Sequence, residues 1–248
     1  MSTTTESDLK VVGETTLPGG SYRDLSVMGR LRLEGDVACR SFSCMGEARV
    51  AGGLTSQRTS IVGETEAAGP VDAGDLTVVG QMKCLSTLRV RALSCTGKLQ
   101  VQGRVDALSV KIMGEMNVRG DFNADEFRSV GAFHIDGLLS VDHLRVEPYG
   151  PSQAQEIGGG RIEVRRRAGF LGSLPVLGWI REHFFGSLGA KLEAQVIEGD
   201  DVHLEDTEAR IVRGARITIG CGCRIGTVEY RETFHAEGDA VVGEARQT

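Results

Sequence analysis

Asp200, Asp201, Glu205 and Asp206 stand within one short stretch of sequence, and carboxylates at that density either hold a hard cation through oxygen ligands or form a solvated corner. The solvated corner is the expectation here. Cys221 and Cys223 form a C-x-C pair, but neither a second pair nor a histidine stands nearby at the spacing of a zinc site. Histidine is the side chain for proton transfer near neutral pH. His134 and His203 fall at outward places between apolar neighbours and His143 falls at a turn, none with a partner readable from the sequence. No GxxxxGK[ST] loop, Ser/His/Asp signature or HExxH is present. The expectation is a protein that is not an enzyme, with no catalytic residues, no cofactor, no metal and no nucleotide.

Composition points the same way. Hydrophobic residues make up 40% of the 248 but aromatics only 5%, so a core must be built from small side chains. Gly supplies 34 residues and Pro only 5, which excludes both a Pro-rich disordered chain and a collagen repeat. A net charge of -6 argues against nucleic acid as a partner, because phosphate neutralisation needs clustered Lys and Arg. No run of 18 apolar residues and no secretory signal is visible, so a cytoplasmic protein is expected. The six Cys are irregularly spaced and read as reduced, with Cys39, Cys44, Cys84 and Cys95 acting as small core side chains.

What must position these residues is a repeat. Gly29, Gly46, Gly63, Gly80, Gly97, Gly114 and Gly131 are each 17 residues apart, and internal periodicity of this kind governs the whole fold. A second column, six residues later, holds Gly35, Gly52, Gly69, Ser86, Gly103, Gly120 and Gly137. Coils such as DLTVVGQMKCLSTLRVR carry apolar residues at the second and fourth, eighth and tenth, and fourteenth and sixteenth places. Period two means strands with one face inward. Three short strands with Gly-marked corners describe one turn of an all-β parallel solenoid. One coil cannot stand alone: about five aliphatic side chains at ~1.5–3 kcal/mol each do not offset ordering 17 residues at ~1–2 kcal/mol each.

The pattern divides the chain into a disordered tail over 1–7, the main solenoid over 8–165, an apolar and partly helical insertion over 166–190, and returning coils over 191–245. The 17-residue register is lost after Val146, while Val212, Ile217, Ile219 and Ile225 are candidate core residues of the later coils. The insertion sets Phe170, Leu174, Trp179, Phe184 and Phe185 beside Arg165, Arg166 and Arg167. Two readings stay open for it: a cover folded over the solenoid flank, or a membrane or partner contact in which aromatic anchors and basic residues meet anionic lipid.

The coils, with IEGDDVHLEDTEARIVRG and CRIGTVEY following an insertion, resemble the bactofilins, the bacterial polymer-forming cytoskeletal proteins, and especially their longer Gram-positive-type relatives. The resemblance covers roughly residues 8–245. It implies a right-handed parallel β-helix of three-strand coils that joins end to end into nucleotide-independent, nonpolar filaments serving cell shape, envelope organisation or motility. It also implies a position peripheral to the inner face of the cell membrane. Compact members have one uninterrupted helix between disordered tails, and the insertion departs from that plan. Expected partners are the chain itself, a membrane surface or a paralogous filament protein. Two rival functions are a trimeric β-helix acyltransferase, whose coils are built from strict hexapeptides, and a non-polymerising adaptor for another filament protein.

Overall fold

The computed structural model describes residues 8–166 and 190–248. They fall into two compact units, Met1–Glu126 and Phe127–Thr248, and each is built as a parallel β-solenoid.

The first unit winds through β1 (Leu9–Val50), β2 (Leu54–Ala67), β3 (Val71–Cys84), β4 (Leu88–Val101) and β5 (Val105–Val118). Each segment lies parallel to the next, and the register keeps the repeat: Gly46 sits beside Gly63, Gly63 beside Gly80, Gly80 beside Gly97 and Gly97 beside Gly114. β1 holds 42 residues and winds through more than one coil, since Gly29 lies against Gly13 and Gly46 against Gly29.

Within one coil Val71 and Ala73, Leu76 and Val78, and Met82 and Cys84 are buried, while Asp72, Thr77 and Val79 between or beside them face out. The inward pairs of the sequence reading are therefore the core, including Leu25, Val27, Leu31, Leu33, Leu99 and Val101. Corners fall where two inward residues stand more than two apart. Gly80 occupies one such corner with φ of 124°, a backbone angle that side chains with a Cβ avoid. It turns the chain without breaking the ladder. A second corner is the open bend at Ser86, where Leu85 and Ser86 leave the strand and Leu88 rejoins it.

The second unit holds most of β6 (Phe122–Pro148), then β7 (Ser152–Val164), β8 (Leu192–Leu204), β9 (Thr207–Ile219), β10 (Arg224–Ala236) and β11 (Val241–Gln247). Here the coil length varies: the 17-residue register is lost, as the sequence pattern predicts, while the ladder itself continues. His134 pairs with Gln153 and His143 with Arg161, so the coil has grown by one or two residues. Later coils are shorter, with Leu192 beside Thr207. Inward columns survive these changes: Leu139, Ile157, Ile197, Val212 and Val228 stack in succession, and Phe127 and Phe133 meet edge-on with ring centres 5.5 Å apart.

Ser152 pairs with Leu192 although the insertion separates them in sequence, and the Ser152 N–H donates to the Lys191 carbonyl at 2.9 Å. On the next coil the same corner is only Glu205 and Asp206, between Leu204 and Thr207. The insertion thus leaves from a corner, and the ladder runs on across it. The expected cover or membrane contact by Phe170, Leu174, Trp179, Phe184, Phe185 and Arg167 lies outside the described residues.

Outward side chains form ion pairs from coil to coil, such as Arg30 with Glu47 at 2.9 Å and Lys98 with Glu115 at 3.1 Å. Glu229 lies between Arg246 and Arg213, which hold its carboxyl below the usual range; Arg30 does the same for Glu47, Arg216 for Asp201 and Lys191 for Glu208. Groups lowered on folding add stability above their unfolded pKa and lose it as pH falls through the folded value. Each exposed pair contributes little. The expected result is a urea midpoint that is flat from neutral pH down to about 5 and falls steadily below about 4.5; equilibrium unfolding across that range checks it.

Candidate functional site

No catalytic constellation forms among the described residues, and no group of three or more His, Cys, Asp or Glu is placed to hold a metal. The four clustered carboxylates separate onto basic partners. Asp200 pairs with Arg231 at 2.8 Å and Asp201 with Arg216 at 2.5 Å. Asp206 accepts from Arg166 Nε at 2.8 Å and Nη2 at 2.6 Å, while Glu205 accepts the Arg166 backbone N–H at 2.6 Å. Arg166, singled out as a membrane or partner contact, is thereby tied to the neighbouring coil's corner. Arg165 is tied as well, its N–H donating to the Val146 carbonyl at 3.0 Å and its side chain lying 3.7 Å from Glu163.

Two histidines do have partners. His134 lies 2.7 Å from Asp136 and His203 lies 3.3 Å from Glu205, because residues two apart on a strand share a face. That spacing was the signal available in the sequence. His143 is exposed.

The thiols sort by burial. Cys44, Cys84, Cys95 and Cys223 are buried, Cys39 is half-buried and Cys221 is exposed, all unpaired. Burial pushes the Cys39, Cys95 and Cys223 thiols up to about 11, and it raises Cys44 and Cys84 as well. A raised thiol has little thiolate and reacts slowly. With Ellman's reagent at pH 7.5, one of the six thiols should react fast in the native protein and all six in denaturant, and Cys221→Ser should abolish the fast phase.

The corner glycines Gly29, Gly46, Gly63, Gly80, Gly97 and Gly114 all adopt positive φ, and a Cβ added at any of them would stand within 2.3 Å of the carbonyl oxygen of the glycine on the adjacent coil. The carbonyl of Gly131 accepts the Tyr149 N–H at 3.0 Å. These residues shape the coil.

What remains chemically distinctive is the last coil of the second unit. Four inward columns reach it and emerge at the surface. Ile162, Val202 and Ile217 lead to Phe234, and Val164, Leu204 and Ile219 to Ala236. Ile197, Val212 and Val228 lead to Ala245, and Ala194, Ala209 and Ile225 to Val242. The earlier members are buried, whereas Phe234 and Val242 are half-exposed and Ala236 and Ala245 exposed. β11 is laddered to β10 on one side, and on its other side no further coil follows among the described residues. In the first unit the first coil is similar, with Leu9 and Leu17 half-exposed on inward places and Val11 buried. An open apolar bore rimmed by strand edges is a template for another strand ladder.

Among the described residues no helix is long and apolar enough to cross a membrane. No family model matches the chain, and no solved structure does. Two Bacillus subtilis (strain 168) proteins are similar over part of their length. Uncharacterized protein YhbF is 49% identical over 79 residues, 32% of this chain and 28% of that protein. Uncharacterized protein YhbE is 36% identical over 93 residues, 38% of this chain and 35% of that protein. The chain therefore spans about a third of the length of the relatives it matches.

Proposed function

We propose that this chain is a structural protein whose activity is assembly: solenoid ends of successive copies join, without nucleotide, into filaments of the kind the bactofilin resemblance implies. The observation that carries this reading is the emergence of four core columns at Phe234, Ala236, Val242 and Ala245 beside the outer edge of β11. A coil of the same spacing from a second copy placed there extends each column and pairs with the strand edge. Phe234 and Val242 are already part-buried, so covering what remains of each contributes at most about 1 kcal/mol, and every edge hydrogen bond adds about 1 kcal/mol net. The low aromatic content and the absence of a phosphate-binding loop fit a molecule whose ligand is its own repeat. A cytoskeletal role in a bacterial cytoplasm belongs to the same proposal.

Negative-stain electron microscopy of the purified full chain, with and without ATP or GTP, tests it. Unbranched filaments of equal abundance in both samples are expected. A monodisperse monomer by light scattering at high protein concentration overturns the reading.

A further inference from the structure

The first unit carries a surface that the end-to-end reading leaves unused. Met28, Met45, Val62, Val79 and Met113 are 45–55% exposed, yet each is an apolar side chain at the fifth place of its coil. They are consecutive rungs: Met45 pairs with Val62, Val62 with Val79, Val79 with Thr96 and Thr96 with Met113. Two residues earlier on the same outward face, Ser43, Ser60, Thr77 and Ser94 form a parallel hydroxyl ladder. No charged side chain stands in either ladder from Ser26 to Thr96. The other outward faces are different. They bear ionic rungs such as Arg30 with Glu47, Lys83 with Glu66 and Arg91 with Asp75.

We propose that this uncharged face is where a second copy of the chain docks side by side. Two molecules that each carry a net charge of -6 repel wherever charged faces meet, so contact is favoured where both surfaces are neutral. The rungs repeat at the strand spacing of about 4.8 Å, and a surface with that same period and the same uncharged chemistry is this face itself. Placed about a two-fold axis at Val62, the stripe opposes Val62 to Val62, Met45 to Val79 and Met28 to Thr96. The sixth rung, Met113, lies beside Lys111 and falls outside this pairing; the five opposed rungs at that spacing and a face about 10 Å wide bury roughly 240 Å² per partner, well under the ~800 Å² of a stand-alone interface. The contact is therefore weak between single molecules and adds up along filaments, where many copies engage at once. In that strength it rests on the end-to-end reading.

The test is cross-linking in the full chain with Cys221→Ser. Val62→Cys is compared with Thr55→Cys, an exposed position on a different face, using a short bismaleimide. Val62→Cys should give at least about tenfold more cross-linked dimer, and Met45→Glu with Val79→Glu should remove that dimer while leaving the circular dichroism spectrum unchanged. Equal yields at the two positions, or no dimer at Val62→Cys, overturn the lateral contact. Electron microscopy of the same samples separates the two ideas: filaments without the Val62 link reject only the docking face, and the link without filaments rejects only end-to-end assembly. Absence of both rejects both.

Discussion

Replacing Gly80 by alanine should destabilise the protein by about 3–5 kcal/mol and lower its thermal midpoint by roughly 10 °C. Two causes combine. The backbone at Gly80 has φ of 124°, where a Cβ costs about 1–3 kcal/mol. The new methyl would also stand 2.3 Å from the carbonyl oxygen of Gly63 and 3.1 Å from its carbon and nitrogen, atoms that belong to the ladder and cannot swing aside. Gly13 isolates the first cause, because it has φ of 94° but nothing within 4 Å of the point where a methyl would stand. Gly13→Ala should therefore cost about 1–3 kcal/mol alone. Urea unfolding of both variants followed by circular dichroism checks the difference, and equal losses would mean that the stacked carbonyls yield more easily than a packed ladder should.

The second large effect is on assembly. Phe234→Asp should raise the critical concentration for filament formation by about 100-fold or more, which is ~2.7 kcal/mol per junction. Phe234 ends a column whose lower members, Ile162, Val202 and Ile217, are buried, so a coil added above it would enclose the new carboxylate in an apolar bore without a partner. Within the single chain the side chain is half-exposed and its ring contact is with Tyr230, centres 5.7 Å apart, so folding should survive. Thr233→Asp places the same charge on the adjacent outward position, where Thr233 is exposed beside Arg216. That variant should assemble within a few-fold of the parent. Sedimentation across a concentration series reads both, and indistinguishable behaviour of the two variants would remove the end face from the proposal.

The coil was legible because its demands are local. Leu76 and Val78, Met82 and Cys84, and Leu88 and Val90 alternate with polar residues inside a single 17-residue stretch, and every one of the six is buried. In the second unit the period became harder to read for physical reasons. Thr207 and Ala209 occupy inward places that leucine or valine fill elsewhere, and the coil length moves between neighbours. The exposed ladder through Met45, Val62 and Val79 was hidden in another way. At the sequence level a fifth-place Met or Val merges with the inward residue before it, and only the corner at the following glycine turns it outward. Ion pairs between coils, such as Arg216 with both Asp201 and Glu232, depend on the inter-strand register, which the later coils' irregular length conceals. The two His–carboxylate pairs needed no register at all and could have been read from their spacing.

The in-register rungs of the first unit bear on how such a chain changes size. Each storey repeats the one below it, Gly63 under Gly80 and Gly80 under Gly97, so excising a whole 17-residue storey would rejoin every inner wall to its counterpart and shorten the unit by one ~4.8 Å step. Excising one residue fewer would leave a single coil of 18 residues, and a corner would have to take up the extra residue, as one does between His143 and Arg161. Height in this architecture is therefore set by the number of storeys, while the corners take up odd residues, as the unequal coils of the second unit show.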